Sequence, residues 1–237
     1  MKRKIYKDLV NWKNRGMKKA LMIIGARQVG KTYIIEEFCK NEFENYVSIN
    51  LLDHPEITEL YKQNISSEEK YIRLCANLNI NPNLENTIIF FDEIQESEEL
   101  ISALKWYCES EKPFKVICAG SLLGVKLKRF HSSFPVGKVE LLHMYPMDFE
   151  EFLLTQNSGD YLTKYIKECY EQNKPMDNVM HEKLKDLYRK YLCVGGLPEV
   201  VSEFSTNDMD ILQINRKTIE DIILSYINDM NKYVDNK

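Results

Sequence analysis

Residues 20–40 read ALMIIGARQVGKTYIIEEFCK, and this stretch decides the fold. Its first residues are apolar and strand-like, residues 25–32 (GARQVGKT) match the pattern G-x-x-x-x-G-K-[ST], and a helical stretch over 32–40 follows. The pattern has a physical mechanism. Small residues let the backbone curl so that successive amide hydrogens point inward as a nest for an anion. Gly25 and Gly30 supply that freedom, and the nest is formed by Gly25, Ala26, Arg27, Gln28, Val29 and Gly30. Lys31 is expected at the β- and γ-phosphates of a nucleotide, Thr32 on a magnesium ion through its hydroxyl, and the helix after them turns its positive end toward the phosphates. A dinucleotide fingerprint needs glycine two residues after Gly25, where this chain has Arg27, so that reading is set aside.

Working outward, strand-like runs occur at 20–24, 46–51, 87–91, 115–119 and 139–144. Helical stretches lie between them. Residues 98–109 show this best, with Leu100, Ile101, Leu104 and Cys108 on one face. Alternating strands and helices predict an α/β fold with a parallel sheet covered on both faces, and the unbroken apolar run at 88–91 marks a central strand. That strand continues as IIFFDEIQ and delivers two carboxylates at its C-terminal end, where ligands of such sheets bind. Asp92 is expected to partner magnesium. Glu93 is expected to orient and polarise an attacking water, which favours hydrolysis over transfer to another acceptor. Ser121, at the tip of KVICAGS, is a candidate for holding the γ-phosphate or the water, with a plain turn serine as the alternative. Asn50 ends the second strand and is a candidate to hydrogen-bond Glu93 if the strands are neighbours, with an ordinary strand-end asparagine as the alternative.

The 237 residues, 44% of them hydrophobic, suffice for one moderate domain or a core with an appendage. No apolar run approaches the roughly 20 residues that span a bilayer, and the start MKRKIYKDLV is not a signal peptide, so a cytoplasmic location without membrane partners is the default. The six cysteines form no CxxC pair, and the four histidines, His54, His131, His143 and His181, form no ligand cluster, which argues against disulfides, zinc and histidine catalysis. The formal charge of −4 argues against a chain coated in basic surface. Local basic clusters at 2–4, 18–19 and 126–129 leave nucleic acid open as a partner. Arg129 and Lys138 precede the last strand and are candidates for a finger reaching a neighbouring subunit's nucleotide.

Beyond about Pro146 no strong strand appears. Residues 149–155, 161–173 and 179–193 read as helical, and 207–233 carries a further helical period. The expected organisation is a nucleotide-binding core over 1–146, a helical lid over 147–206, and a linker helix over 207–237 that ends at a truncated junction.

With GARQVGKT, IIFFDE, AGS and the final strand in this order, the chain resembles AAA+ P-loop ATPases, in which the first two elements are the Walker A loop and the Walker B strand. The resemblance implies sheet order 5-1-4-3-2, ATP and Mg2+ as cofactors, and ATPase activity. More narrowly, Trp12 and Lys13, the loop, YPMDFEEFL at 145–153 and YLCVGGLPEV at 191–200 are similar to a large prokaryotic AAA+ family. Its members join such a core to a C-terminal domain of unknown function. Gly137 and Lys138 stand where relatives often carry Gly-Arg. The leading expectation is a switch or motor module driven by ATP hydrolysis, partnered by a protein or a second copy. Two readings stand beside it: a nucleotide-gated interaction protein with little turnover, and a nucleic-acid-linked ATPase.

Overall fold

Three strands in which apolar residues dominate lie inside the sheet, and the two with mixed patterns lie at its edges. The structure is a computed structural model that describes residues 2–81, 86–110, 115–121, 135, 137–207, 209–214 and 216–234. Five strands, β1 (Ala20–Gly25), β2 (Asn45–Asn50), β3 (Thr87–Asp92), β4 (Lys115–Ser121) and β5 (Val139–His143), form one sheet in the order β2-β3-β4-β1-β5. Every neighbouring pair is parallel. This is the P-loop fold, with the sheet order that the resemblance implies read from the opposite edge. β3 is buried at all of its positions, whereas edge strand β5 alternates between buried or half-buried and exposed. Such a contrast follows from having helices on both faces of the interior strands.

Helices α1 (Ile5–Asn14) and α2 (Lys31–Glu42) bury Leu9, Trp12, Ile34, Ile35 and Phe38. Trp12 is anchored where its indole N–H donates to Lys19 O at 3.0 Å. Between β2 and β3 come α3 (Pro55–Lys62) and α4 (Ser67–Asn77), each with a local start signal: a proline in the first turn of α3, and the Ser66 hydroxyl accepting from Glu69 N before α4. Helix α5 (Glu98–Glu109) spans the residues its periodicity predicts, capped by Ser97, which accepts from Leu100 N at 3.1 Å. The side chains of α3, α4 and α5 share a core with Met22, Ile24, Ile89, Phe91 and Cys118 of the strands.

By its internal contacts the chain divides into two units: Ile5–Ala26 with Gly30–Met144, and Met1–Lys4 with Arg27–Val29 and Tyr145–Lys237. The first contains the sheet. The second contains α6 (Phe149–Leu153), α7 (Gly159–Glu171), α8 (Asn178–Val194), α9 (Pro198–Thr206) and α10 (Arg216–Val234). A single helical period over 207–233 is replaced by a short 3-10 turn at Ile211–Gln213 followed by α10. Phe152, Val194, Val200, Val201, Phe204 and Ile222 form one core of this unit. No described helix is long and apolar enough to cross a membrane.

The two segments that single this chain out in sequence, 145–153 and 191–200, lie against each other. Met147 N donates to Gly196 O at 2.6 Å, and the Tyr191 hydroxyl donates to Met147 O at 2.9 Å. Gly195 ends α8 with a φ of 75°, and a Cβ on Gly196 would stand 2.1 Å from Met147 O. Both glycines are therefore required by backbone geometry. Gly196→Ala is expected to cost about 1–3 kcal/mol, the usual range for overpacking, since the atoms it meets are backbone and cannot rotate away. A lower urea midpoint at unchanged slope is the signature to look for. An unchanged midpoint would show that the contact relaxes without loss.

Candidate functional site

The C-terminal ends of β1, β3 and β4 lie side by side in register, with Gly25 opposite Ser121 and Asn50 of β2 opposite Asp92. These ladder pairs explain why β1 and β4 run past their apolar runs. Hydrogen bonding between strands continues through a glycine or a polar residue where hydrophobic patterning stops.

The phosphate loop alternates its backbone in the manner of an anion nest. Gln28 and Gly30 have φ of 61° and 90°, while Arg27 and Val29 are absent from the positive-φ residues. Alternation of right- and left-handed residues turns neighbouring N–H groups to one side. Lys31 is 7% exposed and donates from Nζ to Gly25 O at 3.1 Å and Ala26 O at 2.7 Å. Its ammonium is thus held at the loop by neutral carbonyls, partners that anionic phosphate oxygens outbid electrostatically.

Thr32 and Asp92 are brought together. The Thr32 hydroxyl donates to Asp92 Oδ2 at 2.6 Å, and Glu93 N donates to Asp92 Oδ1 at 2.9 Å. Burial holds the Asp92 carboxyl above the usual aspartate range, and the Glu93 charge adds to this. The bonds from Thr32 and Glu93 N, and the Lys31 ammonium, pull the other way. A hydroxyl and a carboxylate are hard oxygen donors, and Mg2+ is usually held by one or two carboxylates together with substrate phosphates. On this test of donor chemistry the pair fits Mg2+.

Glu93 occupies the left-handed region, φ 52° and ψ 42°, a conformation that costs a non-glycine residue about 1–2 kcal/mol. Three bonds hold it there. Glu96 N donates to Glu93 O at 3.0 Å, the Ser121 hydroxyl to Glu93 Oε2 at 3.3 Å, and Gln95 Nε2 to the same oxygen. This left-handed residue follows directly on the interior strand β3. Ser121 therefore bonds the second carboxylate, and Gln95, 6% exposed, is a partner that sequence reasoning passed over although it lies inside the IIFFDEIQ segment.

Asn50 stands beside Asp92 in register, but its Oδ1 accepts from Leu52 N at 2.9 Å, closing its own turn. The strands are neighbours as the Glu93 idea requires, and the bond formed is the local one. Lys138 precedes β5, the neighbour of β1, at the N-terminal end of the strands and so at the other end from the phosphate loop, and its ammonium lies 2.9 Å from Glu109 Oε1. Arg129 and the basic cluster at 126–129 lie outside the described residues. The cluster at 2–4 is occupied by acids: Lys2 pairs with Asp160, Lys4 with Asp148 and Glu150, and Arg3 with Glu151.

A family model described as an AAA domain matches residues 17–153. The curated proteins contain no match. Among solved structures, the Walker-type ATPase PABY2304 of Pyrococcus abyssi superposes with a TM-score of 0.56 at 17% identity, over 98% of this chain and 75% of that one. The Aeropyrum pernix ORC2 protein, determined as ADPNP-ADP complexes, gives 0.45 at 15% identity over 84% of this chain and 66% of its own. C. elegans PCH-2 gives 0.45 at 11% identity, over 85% and 57%. At these identities the first likeness speaks to the fold alone.

Proposed function

We propose, from the premise that this chain belongs to the AAA domain family of P-loop ATPases, that it binds ATP with Mg2+ and hydrolyses it to ADP and phosphate as a switch or motor module. The observation that carries hydrolysis is Glu93, held at the sheet's C-terminal edge by Ser121 and Gln95 next to the Thr32–Asp92 pair. Gly25, Ala26, Arg27, Gln28, Val29 and Gly30 present backbone amides to the β- and γ-phosphates, and Lys31 neutralises them. Thr32 and Asp92 are the residues that hold Mg2+, which when bound offsets charge on the phosphate oxygens. Glu93 accepts a proton from the attacking water as the water oxygen bonds to the γ-phosphorus, while the bond from that phosphorus to the β,γ-bridging oxygen breaks and ADP leaves. Ser121 orients Glu93 for this step, and Asn50 shapes the rim beside Asp92.

The core over 1–146 and the helical part over 147–206 act together in this reading, α10 packs into the core of the helical part through Ile222, and the client is a protein or a second copy. The occupied charges at Lys2 and Lys4 weigh against nucleic acid as the partner. The direct test is phosphate release from ATP with Mg2+ against the same assay in EDTA. Tight ADP retention with no Mg2+-dependent release would favour a nucleotide-gated interaction protein in place of an ATPase.

Asp92 adds a pH prediction. Its carboxyl binds a proton more tightly folded than unfolded, so ligand-free stability falls as pH rises from the ordinary aspartate range through the raised one. Asp92→Asn carries no such charge. Ligand-free Asp92→Asn is therefore expected to gain thermal stability relative to wild type as pH rises through that window. With Mg2+ and ATP near neutrality the order reverses, because wild type, with its Asp92 carboxylate for Mg2+, gains the larger binding free energy. Parallel melting curves that keep a constant offset across pH would rule this out.

A further inference from the structure

Arg3 is a charged side chain held almost out of water, 5% exposed, beside Glu151 at 7%. Its guanidinium makes three contacts. Nη1 donates to Val29 O at 2.8 Å, Nη2 donates to Tyr145 O at 2.7 Å, and Nε lies 3.2 Å from Glu151 Oε1 as a charge contact. Glu151 is itself fixed. Its Oε1 accepts from Lys4 N at 2.6 Å and its Oε2 from Asp148 N at 3.3 Å, the second bond closing the capping box that starts α6. From another element, the Tyr226 hydroxyl of α10 donates to Arg27 O at 2.7 Å.

Both carbonyls that receive these donors belong to the tip of the phosphate loop. A nest that turns its N–H groups toward an anion turns its carbonyls away from it, and a carbonyl facing the interior needs a donor there. Arg27 O finds one in a tyrosine hydroxyl, and Val29 O in a guanidinium. The Arg3 charge is balanced by Glu151 beside it, so its effect on a bound phosphate runs through the shape of the loop.

We propose that Arg3, locked by Glu151, is a positioning residue for nucleotide binding: it fixes the Val29 carbonyl, and with Tyr226 on Arg27 it holds the phosphate loop in its anion-binding shape. This gives a task to the basic start of the chain and to the PMDFEEFL segment, neither of which the hydrolytic step uses. The inference rests on the nucleotide reading above, and its test separates the two.

The experiment measures Mg-ADP affinity by calorimetry, and hydrogen exchange of the loop amides without ligand, in the full chain. Arg3→Met removes the donors and leaves Glu151 as a buried unpaired charge, so it loses stability as well as affinity. The double variant Arg3→Met with Glu151→Gln removes both charges. It is expected to recover most of the melting temperature while Mg-ADP binding stays weaker by about tenfold to a hundredfold, since Val29 O still lacks its donor. Tyr226→Phe strands no charge and is expected to weaken binding by about threefold to tenfold. In all three, amides at 27–31 exchange faster than in wild type.

Recovery of affinity together with stability in the double variant, or wild-type loop exchange in Tyr226→Phe and the double variant, overturns the positioning role. Wild-type protein that takes up no ADP or ATP sinks the nucleotide reading instead, and the loop-exchange comparison still decides whether Arg3 and Tyr226 shape the loop.

Discussion

Lys31→Ala is expected to lose at least about a hundredfold in affinity for both ATP and ADP, the scale of one buried charge-assisted contact together with its share of phosphate neutralisation. The side chain is buried, and its ammonium already lies at the loop, on Gly25 O and Ala26 O. Alanine removes the charge without adding volume. Circular dichroism and melting temperature in the absence of ligand should stay close to wild type, because the contacts given up include hydrogen bonds to carbonyls of a loop at the sheet's edge. Lys31→Arg tests the point further. A planar guanidinium on a longer stem does not replace a compact ammonium in so confined a place, so that variant is expected to bind weakly too. Calorimetric titration with ADP decides the matter, and wild-type affinity in Lys31→Ala would remove the loop from nucleotide binding.

Glu93→Gln separates binding from chemistry. The amide is nearly isosteric with the carboxylate, and its oxygen can still accept from the Ser121 hydroxyl and Gln95 Nε2. What it lacks is the basicity to take a proton from water. Affinity for ATP should therefore stay within a few-fold of wild type while the turnover number falls by about 10²–10⁴, the usual contribution of a general base. A matched fall in kcat and kcat/KM is the pattern expected when an interaction made only in the transition state is lost. Equal turnover in the two proteins would falsify the role given to Glu93, and loss of affinity in the variant would point instead to a carboxylate needed for binding.

These two residues are also the parts of the site most legible in sequence. GARQVGKT carries its own instructions, because glycine freedom, a lysine and a hydroxyl at fixed offsets act on a phosphate through local backbone geometry. The acidic pair is readable for a related reason. Four apolar residues at 88–91 can form only an interior strand in such a fold, and a strand end in a parallel sheet is where its ligands lie. Strand ends were harder to place. Gly25 and Ser121 join the ladder through backbone pairing to which hydrophobicity is blind.

Gln95 shows where reading along the chain gives out. It sits two residues from Glu93, yet only the left-handed backbone at Glu93 turns the two side chains together. Lys138 shows the converse. Parallel pairing puts this cation, just before β5, at the N-terminal end of the sheet beside Glu109, away from the chain's own phosphate loop.

Sequence by itself determined the fold class and pointed to the phosphate loop, the two carboxylates and the polar tip at Ser121, since each depends on residues close together along the chain. Tertiary structure alone decided that Thr32 bonds Asp92, that Glu93 is held by Ser121 and Gln95, and that Arg3 and Tyr226 secure the carbonyls behind the loop. The physical reason is one of range. Periodicity and turn chemistry are set by neighbours a few residues away, whereas a buried donor or charge is satisfied by whatever side chain packing brings to it, and the Tyr226 hydroxyl reaches Arg27 across 199 positions of sequence.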